Sequence, residues 1–134
     1  MMKIREYRTG DEKGIESEDS IHLFNAAGAM RTITVDNKPV AIVGCLPFWG
    51  RVGMLWAYVS DDARKFPRML SALCLNATLL EVDDRGYTGL VAYVNHSHTR
   101  NGRWLEKVFG MTKKCELPGG APNGADSHLY WRNF

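Results

Sequence analysis

RTITVDNKPVAIVGCLPFWGRVGMLWAYV, residues 31–59, decides the fold. β-Branched and aromatic residues dominate it with a period of two, the pattern of strands that bury one face. Two turn signals, Asp36-Asn37-Lys38-Pro39 and Pro47-Phe48-Trp49-Gly50, divide the run into three strands. Connections this short make neighbours antiparallel. Val40 to Leu46 is almost uniformly apolar, so the middle strand is expected to be covered on both faces.

Working outward, Met2 to Arg8 alternates weakly and reads as a first strand, broken by Thr9-Gly10-Asp11. The segment from there to Gly28 spaces Ile15, Ile21, His22, Phe24 and Asn25 unevenly, which predicts one or two short helices. Downstream, Ser60-Asp61-Asp62 ends the third strand, and residues 60–66 read as loop. Pro67 then marks the start of a long helix, because proline lacks an N–H and fits the first turn. Met69, Leu70, Leu73, Ala77 and Leu80 recur at helical spacing, with Gly86 beyond the end. Tyr87 to Val94 is a further strand bounded by Asn95. A helix of about ten residues carrying Trp104, Leu105, Val108 and Phe109 follows it. Strands at Thr112–Leu117 and Ser127–Asn133 flank the loop PGGAPNGAD.

The expectation is a single α/β (α+β) domain over residues 1–134, with a mixed sheet of about seven strands in the order β-α-β-β-β-α-β-α-β-β. At 45% apolar and 24% charged residues with a net charge of +2, the chain has no bulk attraction for nucleic acid or membrane. Cys45, Cys74 and Cys115 are odd in number and fit no zinc spacing, which predicts buried free thiols in a reducing compartment, the cytoplasm. No run of apolar residues is long enough for a membrane span.

This element order resembles the GNAT acyltransferase fold over nearly the whole chain. Two motifs add to it: WLEKVFGM, similar to the family's closing run in which a helix ends at glycine before the sixth strand, and IREYRTGD, similar to its usual opening. The resemblance implies that the parallel strands ending at Val59 and Val94 splay apart. The pantetheine arm of acetyl-CoA, the acyl donor, would lie between them, with its pyrophosphate on the amino end of the long helix. It places Val59, Ser60, Arg64, Lys65, Arg68 and Asn95 at the cofactor. Arg64 matches the leading Arg of the family's phosphate loop, but Pro67 and Met69 stand where its glycines belong, so an amide donor is missing. Leu105 stands where the family has the tyrosine that protonates the leaving thiolate, and leucine has no proton to give.

Two other side chains enter as catalytic candidates. Tyr58 is the titratable residue of the strand GMLWAYV, where the family commonly carries a carboxylate base. His98, in NHSHTRNGR, occupies the loop that borders the thiol end of the slot, where a neutral imidazole can take or return a proton. His96 and His98 alone are too few for a metal site, so no metal is assigned. Asn95, Ser97, His98 and Arg100 also resemble a GNAT-like virion protein of short-tailed phages. That reading implies a host or virion protein as partner and a cofactor site that has been lost. The acceptor amine is not written in any motif, and Trp49, Trp131 and Phe134 are available to a partner or a homodimer.

Overall fold

The computed structural model describes residues 1–8, 10–15, 30–60, 63–95, 99–121 and 123–134. In chain order the elements are β1 (Met2–Glu6), β2 (Met30–Val35), β3 (Lys38–Trp49), β4 (Val52–Val59), helix α1 (Pro67–Arg85), β5 (Gly89–Asn95), helix α2 (Thr99–Lys107), β6 (Thr112–Leu117) and β7 (Ser127–Asn133). They build a seven-stranded sheet ordered β1-β2-β3-β4-β5-β7-β6. Its pairs are antiparallel except β4–β5, which is parallel.

The three strands read from residues 31–59 are present. Asp36 and Asn37 make the first turn with φ of 50° and 66°, the left-handed pair that a tight two-residue hairpin needs. The second turn lies two residues beyond its expected place, at Gly50–Arg51, because β3 runs on through Pro47 to Trp49. Pro47 survives in a strand because β2 reaches β3 only as far as Gly44, so the proline's missing N–H faces no partner there. A register shift between Pro47 and Trp49 marks the bulge.

Between Asp11 and Gly14 the expected helical segment is a single 3-10 turn, and residues 16–29, with His22, lie outside the described residues. Asp11 anchors that turn. Its carboxylate accepts two bonds from Arg5, at 2.7 and 2.8 Å, one from the Thr32 hydroxyl at 2.7 Å and one from the Arg8 amide at 2.9 Å.

Helix α1 starts at Pro67 and stops at Gly86, whose φ of 64° is the left-handed cap glycine supplies. The loop expected at 60–66 contains a 3-10 turn, Ala63–Lys65. The buried face of α1 carries Leu70, Cys74, Ala77, Thr78, Glu81 and Val82; of the residues read at helical spacing, Leu70 and Ala77 belong to it and Leu73 packs against the core, while Met69 and Leu80 are 51% and 48% exposed. Apolar residues occur all around this helix, so spacing fixes the helix but not which stripe is buried. Two polar side chains are buried because they are paired. Thr78 donates to the Cys74 carbonyl at 2.8 Å, and Glu81 accepts from Arg31 at 3.0 Å and Arg85 at 3.3 Å.

α1 and α2 pack on one face of the sheet, in a core containing Val43, Leu55, Leu70, Leu90, Leu105 and Phe109. A second cluster on the other face joins Ile15 and Ile42 with Tyr7, Trp56 and Tyr58. Cys45 and Cys74 are buried free thiols as expected, but Cys115 is exposed, because β6 is an edge strand. Among the described residues, no helix is long and apolar enough to cross a membrane.

Candidate functional site

β4 and β5 pair only at Val52–Gly89, Gly53–Leu90 and Met54–Val91. Beyond Met54 each strand stays bound to its outer neighbour, β4 to β3 as far as Val59 and β5 to β7 as far as Asn95. The parallel ladder between them has ended, so the two strands part. Into the opening falls a cleft of about 390 Å³, lined on the strand side by Leu55, Ala57, Val59, Ala92 and Val94. Backbone groups on the facing edges of these segments are set to bond an extended, amide-bearing chain, as any unpaired strand edge is.

The other walls come from the helices. Arg64 and Pro67 line the cleft at the start of α1, and Arg100, Asn101, Trp104 and Leu105 line it from α2. No side-chain hydrogen bond caps α1, whose first position is Pro67 and whose amide at Leu70 is the first to bond back, to the Phe66 carbonyl at 2.9 Å. The helix dipole's positive end and the Arg64 side chain therefore meet at one rim. Trp104 donates its indole N–H to Ser71 Oγ at 2.8 Å, joining the two helices across the floor. Trp104 in turn packs edge-on to Phe109, with ring centroids 4.8 Å apart.

α2 closes as the WLEKVFGM motif implies. The Met111 amide donates to the Leu105 carbonyl at 3.1 Å around Gly110, whose φ is 62°, and β6 begins at Thr112. Arg132 fastens this turn from β7 by donating to the Phe109 carbonyl at 2.9 Å. Gly102 lets α2 approach the sheet, since a β-carbon there would overlap the buried Tyr130 hydroxyl. Burial, then the Glu106 carboxylate nearby, push the Tyr130 phenol up, so it stays protonated.

The residues singled out from the sequence do not all converge. Val59 and Arg64 line the cleft, while Lys65 and Arg68 are exposed beside it. The Ser60 amide is spent on the Val40 carbonyl at 2.9 Å, and its hydroxyl accepts from the Ala63 amide at 3.4 Å. Tyr58 belongs to the second cluster, its ring 5.5 Å from that of Trp56, and does not line the cleft. Asn95 ends β5 opposite Ser127. His96, His98, Asp61 and Asp62 lie outside the described residues. Ser71, Arg100, Asn101 and Trp104 are cleft residues that the sequence reading missed. Asn101 precedes Leu105 by four positions on one helix face, a spacing that could have found it.

Chemically the described lining is one-sided. Arg64 and Arg100 are its charged groups, with no carboxylate among the described residues. Burial pushes the Cys45 and Cys74 thiols up to about 12, so neither is a nucleophile at neutral pH. No three His, Cys, Asp or Glu side chains among the described residues are grouped to hold a metal.

Neither a protein-family model nor a curated protein sequence matches the chain. Solved structures do, by shape. An IAA acetyltransferase from Bacillus cereus superposes with a TM-score of 0.83 at 10% identity, covering 100% of both chains. Ard1 from Thermoplasma volcanium superposes at 0.79 and 15% identity, over 98% of this chain and 97% of that one. A GNAT family acetyltransferase from Elizabethkingia anophelis, solved with acetyl-CoA bound, gives 0.76 at 14% identity, over 99% and 98% of the two chains. The fold of this chain is the GNAT fold, as its element order implies.

Proposed function

We propose that the protein is an acyl-CoA-dependent N-acetyltransferase of the cytoplasm. The observation that carries this is the parting of β4 from β5 after Met54, with an open cleft between them and Arg64 at its rim. A pantetheine arm is an extended chain with amides, which suits parted strand edges. A pyrophosphate suits the amino end of α1 with Arg64 on one side and Arg100 on the other. Lys65 and Arg68, exposed at the same end, raise the local positive potential.

In the reaction the lone pair of an acceptor amine attacks the thioester carbonyl. A C–N bond forms, the C–S bond breaks, the amine loses one proton and the departing thiolate gains one. Leu105 lines the cleft where a proton donor would help and supplies none, so rate comes from positioning and from deprotonation of the amine. His98 is assigned the proton transfer at the thiol end of the slot; Tyr58, packed with Trp56 in the second cluster, is set aside from it.

A second reading has an observation of its own. Pro67 removes an amide from the start of α1, and Leu105 removes the acid, a combination that fits a phage-encoded GNAT-fold protein that binds a host or virion protein and has lost acetyl-CoA. Calorimetric titration with acetyl-CoA separates the two readings. Binding that Arg64→Ala with Arg68→Ala weakens by about tenfold or more supports the transferase, since one charged hydrogen bond is worth roughly 1.5–3 kcal/mol. No heat at millimolar acetyl-CoA leaves the binder.

A further inference from the structure

The two ends of the cleft differ in chemistry. Side chains alternate along a strand, and Leu55, Ala57, Val59, Ala92 and Val94 point into the core beneath the helices. Trp56 and Tyr93, between them in sequence, therefore project from the opposite face, and both still line the cleft, one from each parted strand. Each ring is braced by another: Trp56 by Tyr58 at 5.5 Å and Tyr93 by Phe48 at 6.3 Å. Tyr93 and Phe48 remain 42% and 49% exposed, so this end is open to solvent. The arginines sit at the helix end, together with Trp104 and Phe109, whereas the far-face end is lined by the rings of Trp56 and Tyr93, with no cation among the described residues.

We infer that the far-face end of the cleft, between Trp56 and Tyr93, receives a primary amine carried on a short aromatic body. The inference rests on the transferase reading and names its acceptor class. Ring faces give such a body apolar contact, and they attract the ammonium before it loses its proton. A polyamine would bring a second ammonium to this end, and the described lining offers no carboxylate to meet it, only Arg64 and Arg100.

The test compares acetyl transfer from acetyl-CoA to 2-phenylethylamine and to spermidine, with acetyl-CoA binding measured in parallel by calorimetry. The expected result is a kcat/KM for 2-phenylethylamine at least about tenfold above that for spermidine. Tyr93→Ala raises the KM for 2-phenylethylamine by about tenfold, and Tyr93→Phe restores it; Tyr93 is exposed, so both variants fold. Equal or better use of spermidine, or an unchanged KM in Tyr93→Ala, overturns the inference. Acetyl-CoA binding without acetylation of either amine overturns it too and leaves the donor site standing. Failure to bind acetyl-CoA removes the transferase reading and this acceptor together.

Discussion

Trp104 on α2 donates its indole N–H to Ser71 on α1 at 2.8 Å, and both residues line the cleft. This bond ties the two helices together across the cleft. Ser71→Ala leaves a part-buried donor without its acceptor, which costs about 1 kcal/mol. For a chain of this size the melting temperature falls by roughly 4 °C, as a calorimetric scan would read. Ser71→Thr, which keeps the acceptor, restores most of it.

Asp11 gives the fold a measurable acid limit. Burial raises its carboxyl, but hydrogen bonds from Arg5, Thr32 and the Arg8 amide outweigh that and bring it to about 2 from an ordinary 3.8. A carboxyl held low in the native state stabilises fully above its unfolded pKa, and the contribution is lost as pH falls from 3.8 through about 2. That shift corresponds to about 2 kcal/mol. Urea titrations between pH 2 and 6 should show this loss in the parent. Asp11→Asn should start about that much less stable at neutral pH and lose less on acidification.

Leu105 gives a gain-of-function prediction. It lines the cleft, and the resemblance of WLEKVFGM to the GNAT closing run aligns it with the tyrosine that gives a proton in those acyltransferases. Leu105→Tyr should raise turnover of acetyl transfer by about tenfold or more, within the range for general acids. Leu105→Phe, of similar bulk and no hydroxyl, should not. An equal effect of both would assign the gain to packing.

Arg100 is predicted to act with Arg64. Each single change to Ala should weaken acetyl-CoA binding by about tenfold, and the salt dependence of binding should shallow with each cation removed. Calorimetry at two ionic strengths reads both. An effect of Arg64 alone would place the phosphates against α1 only.

Most of the architecture was legible because it rests on local signals. The period-two run of residues 31–59, Pro67 and Gly86 at the ends of α1, and Gly110 at the end of α2 each determine an element by backbone geometry alone. Sidedness was less legible. Glu81 is buried on α1 because Arg31 reaches it from a strand fifty residues away, a pairing no local spacing carries. The cleft divides the same way. Val59 and Arg64 follow from the GNAT resemblance, while Ser71 and Trp104 meet only after both helices dock on the sheet. Ser60 was expected at the cofactor, and its amide is held by Val40 because β3 and β4 stay paired to their ends.

On the proposed function, the parted ends of β4 and β5 receive an acyl-CoA. Two-dimensional amide NMR of the labelled protein, titrated with acetyl-CoA, tests it most directly. The prediction is saturable shifts concentrated at Leu55–Val59, Ala92–Asn95 and the first turn of α1. Saturating shifts confined to the far edge of the sheet around β6, or none at millimolar acetyl-CoA, would contradict it.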